Sequence, residues 1–237
     1  MANKKILPGL TTITSGEWKN KVKEIDELEL KEIALFPTCL DLEQRQELYG
    51  MLEKTKLQAI PHVHLREQDM DIRELDYLFS RFKVQVFNVH PTPKIMDFID
   101  KNQKYKNNIF VENIMMDNDN FAEVAAYCGG ICLDLAHWES HAFIKKEKNY
   151  QVLSGLLKKY KIGINHTSAI KKNLVFHHDI LLNQDFSDYS DHNLNELSEM
   201  DYVKKHKNYL ADIISLELEN PLKRQLEVKK YLEEIIL

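Results

Sequence analysis

Three carboxylates and a set of imidazoles stand at equivalent places along the chain. Glu112 closes the run Ile109-Phe110-Val111, Asp134 closes Ile131-Cys132-Leu133 with His137 three residues on, and Glu217 follows Ser215-Leu216. Histidines fall in the same manner at His62 and His64, at His90 and at His166, and the pair His177/His178 comes in a later segment. Carboxylates gathered in one cavity repel one another or lose solvation, and a divalent cation is the simplest group that stabilises them. A mixed His/carboxylate set suits zinc, manganese or iron. The lack of thiolates at these positions argues against a closed structural zinc site. An ion held this way polarises oxygens or activates water, while the carboxylates move protons.

Residues so far apart meet only if a repeated element carries each of them to one edge. Eight short β-like runs recur, Ile6–Ile13, Glu32–Phe36, Leu57–His64, Val84–His90, Asn108–Glu112, Gly130–Asp134, Lys161–His166 and Asp212–Leu218. Helical patterns lie between most of them. Asp41 with Gln44 forms a capping box that opens a helix over Leu42–Lys56. Ile72, Leu75, Leu78, Phe79 and Phe82 keep 3.6-residue spacing, as do Ile95, Phe98 and Ile99 behind Pro91 and Pro93, and then Val152, Leu153, Leu156 and Leu157. Pro221 opens the last helix, to Ile236. The first helix must fit into Trp18–Leu28, and Lys171–Asn193 reads largely as loop. This alternation predicts an α/β fold, a single (β/α)8 TIM barrel over residues 1–237. An open doubly wound sheet gives a similar alternation and is the alternative.

Parity within the strands sorts the polar residues. Ile109/Val111 oppose Glu112, Ile131/Leu133 oppose Cys132/Asp134, Leu216/Leu218 oppose Ser215/Glu217, Val63/Leu65 oppose His62/His64, and Val89 opposes Asn88/His90. Each acid or imidazole thus points away from the helix-facing side. Each also lies at the carboxyl end of its strand, the end that carries chemistry in such barrels. Glu219 shares parity with Glu217; Glu217 is the choice because it stands nearer the strand end.

Composition excludes several classes. Lys and Arg number 32 against 37 Asp and Glu, a net charge of −5 with both signs interleaved, so no basic footprint for nucleic acid stands out. The longest uncharged run, Ile6 to Gly16, is eleven residues, and Val124 to Leu133 is ten, each about half of the roughly 20 that a membrane helix needs. The start, MANKKILPG, is too short in apolar residues for a secretory signal, and a cytoplasmic location is the expectation. Cys39, Cys128 and Cys132 are odd in number and read as reduced packing residues.

Asn88-Val-His90-Pro91, Phe110-Val-Glu112-Asn113, Cys132-Leu-Asp134-Leu-Ala-His137, Asn165-His166, His177-His178 and Ser215-Leu-Glu217, in this order, resemble the xylose isomerase-like barrels. That family includes sugar isomerases and epimerases and the endonuclease IV group. The resemblance implies that Glu112, Asp134, His166 and Glu217 hold the single metal of the epimerases, with His137 as the substrate-side imidazole. The endonuclease branch adds ligands for a cluster of three zinc ions, and His64, His90, His137 and His177 resemble those. Where that branch has an Asp two residues before the loop histidine this chain has Val175, and Asp179-Ile-Leu-Leu replaces its glycine-rich stretch.

The function expected from these residues is isomerisation or epimerisation of a small sugar or sugar phosphate, with one divalent ion (Mn, Zn, Co or Mg) and with Glu112 and Glu217 exchanging the proton. His62, His64 and His137 are candidates to orient the substrate, Lys171 and Lys172 to receive a phosphate, and Trp18 or Trp138 to stack on a sugar face. The alternatives are a phosphodiester hydrolase with two or three zinc ions and a barrel without turnover. A small-molecule substrate is the expected partner, without nucleic acid or membrane, and a homo-oligomer is compatible with the sequence.

Overall fold

Each β-like run of the sequence holds a strand in the computed structural model, the first run two of them; the structure describes residues 4–13, 17–114, 118–179 and 184–236. The chain opens with β1 (Lys5–Leu7) and β2 (Gly9–Thr11), followed by α1 (Trp18–Glu27), β3 (Glu32–Phe36), α2 (Leu42–Leu52), β4 (Ala59–His64), α3 (Ile72–Phe82) and β5 (Val86–Val89). Then come α4 (Ile95–Lys101), β6 (Ile109–Glu112), α5 (Asn118–Tyr127), β7 (Ile131–Asp134) and α6 (Leu135–Trp138), which runs on into a π-helical turn, Glu139–Ile144. The chain closes with α7 (Lys148–Gln151), α8 (Leu153–Lys159), β8 (Ile162–Thr167), β9 (Ala169–Asp179), β10 (Gln184–Asp191), β11 (Ile213–Leu216) and α9 (Leu222–Ile236).

Nine parallel strands run in the order β1-β11-β8-β7-β6-β5-β4-β3-β2. The first and last are two halves of one extended segment, interrupted at Pro8, whose ring nitrogen has no hydrogen to give to a ladder. The two ends of the sheet therefore meet, and the sheet is a nearly closed barrel. An open doubly wound sheet would leave its edge strands apart.

The seam is tight. A Cβ on Gly9 would lie 1.9 Å from the Leu216 carbonyl oxygen, so only glycine lets β2 come this close. Gln225 of α9, fully buried, stands in for the missing ladder there: its Oε1 accepts from the Gly9 N–H at 2.6 Å and its Nε2 reaches the Gly9 and Leu218 carbonyls at 2.9 Å. Gln225→Leu keeps the volume but orphans these groups, and should lower unfolding free energy by about 1–3 kcal/mol, read from denaturant midpoints at unchanged slope.

Parity holds throughout. Ile109, Val111, Ile131 and Leu133 pack outward under the helices, whereas Leu7, Ala34, Phe36, Phe110, Cys132, Ile164 and Ile213 fill the barrel interior. The helix starts follow the sequence signals, while α2 ends at Leu52, four residues before the expected Lys56. Asp41 and Gln44 make the reciprocal capping bonds, 2.9 and 3.0 Å, and Leu48, Tyr49 and Leu52 form the buried face of α2. Among the described residues no helix is long and apolar enough to cross a membrane.

One stretch departs from the expectation. Lys171–Asn193, read as loop, is mostly the antiparallel hairpin β9–β10, outside the barrel sheet. Its strands show no clean alternation because neither face packs fully on a core: Leu174, Phe176 and Phe186 are exposed. A 3-10 stretch, Leu197–Tyr209, follows and buries Met200, Tyr202 and Val203.

Candidate metal centre

Parallel register delivers the polar strand ends to one edge of the barrel. His64 of β4 lies beside Asn88 of β5, Glu112 of β6 beside Cys132 of β7, Asp134 beside His166 of β8, and Ser215 of β11 beside His166. Glu112, Asp134, His166 and Glu217 each offer a ligand atom, and these four atoms lie within 4.8 Å of one another. Glu219, by contrast, turns toward Lys21, 3.8 Å from its Nζ.

His166 is at the centre of this group. Its Nδ1 is 3.1 Å from Glu217 Oε2 and 3.4 Å from Glu112 Oε2, yet it is buried with no hydrogen-bond partner. A fully buried ring nitrogen between two carboxylates, aligned with neither, fits a cation between the three. Asp134 is fixed from behind: its N–H donates to Asn113 Oδ1 at 2.6 Å, and its Oδ1 accepts the N–H of His137 at 2.8 Å as the cap of α6. The residues present therefore fit a divalent ion held by Glu112, Asp134, Glu217 and His166 Nδ1.

Hydrogen bonds beneath the group fix its orientation. Asn88 Nδ2 donates to Glu112 Oε2 at 2.7 Å, so Asn88 Oδ1 must accept from His62 Nε2, also at 2.7 Å. His62 Nδ1 then accepts from the Ser215 hydroxyl at 2.9 Å. His62, expected on the substrate side, is instead sealed at 0% exposure under His166, so it supports the site rather than touching substrate. Phe36 packs its ring against His62, His64 and His166 and makes the floor apolar.

His64 and His90 extend the group on one side. His64 Nδ1–H donates to the Leu65 carbonyl at 3.0 Å, which leaves its Nε2 lone pair facing Glu112 Oε2 at 3.2 Å and His90 Nε2 at 3.0 Å. A backbone carbonyl that takes one ring N–H fixes the tautomer and aims the other nitrogen, as it does in metal-ligating imidazoles. His64, His90 and Glu112 form a second group with metal-ligand spacing.

Burial alone would raise the Glu112 carboxyl, but the His166 and His64 imidazoles outweigh it and hold Glu112 well below the usual carboxylate range. Glu217 is likewise lowered to about 2, against its burial, by His166. Burial, opposed by His137, raises Asp134. Burial lowers His166 and His137, yet Cys132 and Glu112 carry His166 well above the ordinary histidine value, and Asp134 and Asp188 carry His137 to about 9. Burial pushes His62 far down, so it is neutral, and pushes the Cys132 thiol up to about 12.

Two expected groups stand apart from this centre. His177 lies in β9, stacked on Phe186 with its Nε2 at the Ser190 carbonyl, and shares no ligand group among the described residues; the side chain of His178 lies outside them. Lys171, a candidate phosphate ligand, is neutralised by Glu199 at 2.9 Å and Asp191 at 3.7 Å. Trp18 and Trp138 are buried packing residues. Conversely, sequence reasoning missed His141 and Asp188, which meet His137 at the rim. The i, i+4 spacing of His137 and His141 was the available signal. Asp188 had none, because it stands across the hairpin from Val175, the position where the resemblance lacks an acid.

No protein-family model and no curated protein matches the chain. Solved structures do resemble it. A xylose isomerase-like TIM barrel protein from Mycobacterium smegmatis, in complex with magnesium, superposes at a TM-score of 0.52 with 11% identity, over 98% of this chain and 96% of that one. A phospho-2-dehydro-3-deoxyheptonate aldolase from Thermotoga maritima gives 0.54 with 10% identity, over 98% of this chain and 68% of that one. A truncated 3-deoxy-D-arabino-heptulosonate 7-phosphate synthase from the same organism gives 0.51 with 13% identity, over 100% and 89%. The fold is that of a TIM barrel.

Proposed function

We propose that this barrel is a divalent-metal-dependent enzyme that isomerises or epimerises a small sugar or sugar phosphate by proton transfer through glutamates. The observation that carries the reading is the unpartnered Nδ1 of His166, buried between Glu112 and Glu217 with Asp134 in reach. When bound there, a divalent ion supplies Lewis-acid polarisation of adjacent carbonyl and hydroxyl oxygens.

The chain's own residues do the rest. Glu112 and Glu217, both kept ionised by His166, exchange a proton with the substrate carbon as base and acid, a positioned transfer typically worth about 10²- to 10⁴-fold. His137, cationic near neutral pH and partly exposed at the rim, donates a hydrogen bond to a substrate oxygen as negative charge develops on it. The apolar floor under Phe36 excludes water from below, which strengthens these interactions. With Lys171 paired to carboxylates, a phosphate on the substrate would need other donors.

A second reading is metal-dependent phosphoester hydrolysis. It is favoured by one observation, the convergence of His64 Nε2 and His90 Nε2 on Glu112, which would hold a further ion beside the first.

Deuterium exchange separates the two. Incubated in D₂O with Mn²⁺ and a panel of aldoses, ketoses and their phosphates, the enzyme should wash deuterium into the carbon next to the carbonyl of one substrate, read by NMR. Cleavage of bis(4-nitrophenyl) phosphate with no exchange on any sugar would sink the isomerase reading in favour of the hydrolase.

A further inference from the structure

His137, His141 and Asp188 meet where the hairpin comes down on the π-helical turn after α6. From this meeting we propose a separate cation site, formed by His137 Nδ1, His141 Nε2 and Asp188 Oδ2, that takes a borderline divalent ion such as Zn²⁺. It lies beyond the proton-transfer reading above and shares only His137 with it: an ion on Nδ1 takes the place of the proton there, and the Nε2–H side remains for the substrate.

The orientation of His141 carries the argument first. Its Nδ1 faces the Glu147 carboxylate at 2.9 Å and its ring stacks on Tyr150 at 4.5 Å, so Nδ1 holds a proton and the ring is locked. Nε2 is then aimed at Asp188 Oδ2, 3.3 Å away. A nitrogen and a carboxylate facing each other are joined either by a proton or by a metal ion, and the separations below favour the metal ion. Carboxylate, imidazole and cation in line is the arrangement that orients metal-ligating histidines.

His137 supplies the second observation. Its Nδ1 is buried with no hydrogen-bond partner and points at the same Asp188 oxygen from 3.7 Å. Both separations exceed the roughly 2.7–2.9 Å of a charge-assisted hydrogen bond. They are close to the edge of a zinc tetrahedron, where ligand atoms about 2.0–2.1 Å from the metal stand roughly 3.3 Å apart. All three ligand atoms lie within 4.8 Å of one another.

Asp188 is held in place for this role. It is 2% exposed, its Oδ1 takes the Tyr189 N–H at 2.8 Å, Lys145 Nζ at 2.9 Å and the Ser140 hydroxyl, and its Oδ2 also accepts from Ser190 Oγ at 2.6 Å. Lys145 is thus the competitor that an ion must share Asp188 with. Two imidazoles and one carboxylate suit zinc better than the hard cations calcium or magnesium. An ion here ties β10 to the π-helical turn and leaves at least one coordination position open at the barrel rim.

The test is calorimetric titration of Zn²⁺ into metal-stripped protein. Wild type should show two separable classes of site. Asp188→Asn and His141→Gln should each remove one class and keep the class that Glu112→Gln removes, whereas Glu112→Gln should keep the class those two remove. Glu147→Gln should weaken the rim class about 10- to 100-fold. If both rim variants titrate as wild type does, the cluster is an ion-pair hub and the proposal is wrong. Should they fail to fold, judged by circular dichroism, Lys145→Met decides: loss of the competing ammonium should tighten the rim class about tenfold, and unchanged or weaker binding overturns the site. Failure of the central reading would show separately, as a Glu112→Gln variant that loses no class.

Discussion

Glu112→Gln is expected to lower turnover by about 10²-fold or more and to strip the central ion, with the fold retained. Its Oε2 takes the Asn88 Nδ2 hydrogen bond at 2.7 Å and faces His64 at 3.2 Å and His166 at 3.4 Å. A glutamine fills the same volume and can still accept from Asn88. It carries no charge to attract a divalent ion and takes no proton from carbon. The check is metal content per chain beside the deuterium-exchange rate, with a thermal melt to establish folding. Glu219→Gln is the comparison: Glu219 pairs with Lys21, outside the ligand group, so that variant should keep the central ion. A Glu112→Gln protein with wild-type metal content and turnover would remove Glu112 from both roles.

The largest effect on stability should come from Arg45→Met. Arg45 of α2 is fully buried and binds Glu74 of α3 bidentately, Nε to Oε1 at 2.7 Å and Nη2 to Oε2 at 2.9 Å, while Nη1 reaches the Leu40 carbonyl and Asp69. Glu74 is itself only 9% exposed in its side chain. Removing the guanidinium leaves that carboxylate buried with Tyr49 as its remaining donor, which should cost about 3–5 kcal/mol. At this chain length that corresponds to a fall in Tm of roughly 6–20 °C. The double variant Arg45→Met/Glu74→Leu should recover most of the loss, because the pair's desolvation cost disappears with its charges. A single variant within about 1 kcal/mol of wild type would show that water reaches Glu74 after all.

Much of this architecture was legible in the sequence because a barrel strand leaves a strong local trace. Runs such as Ile109-Phe110-Val111-Glu112 specify a strand, its outward face and the residue at its carboxyl end in four letters. Gathering Glu112, Asp134, His166 and Glu217 then needs only parallel register. The helix starts followed from caps and spacing, as with Asp41 and Gln44, whereas the end of α2 at Leu52 did not.

What was not legible depends on non-local geometry. His62 and His64 share parity, but depth along the strand separates them, and only a closed barrel shows that the earlier one is sealed by Asn88, Ser215 and His166. The hairpin has no periodic trace, since both of its faces meet solvent in part. Lys171 could not be seen to meet Glu199 and Asp191, nor Asp188 to meet His137 and His141, until β9 and β10 were paired. In the sequence Pro8 lies inside a single β-like run, while in the structure it divides the strand whose halves close the barrel.

The most direct test of the central claim is anomalous diffraction from crystals grown with Mn²⁺, recorded near the manganese edge. The account predicts a strong peak roughly 2.0–2.3 Å from oxygens of Glu112, Asp134 and Glu217 and from Nδ1 of His166. A fully loaded crystal with no peak among these four side chains, whatever it binds elsewhere, would contradict it.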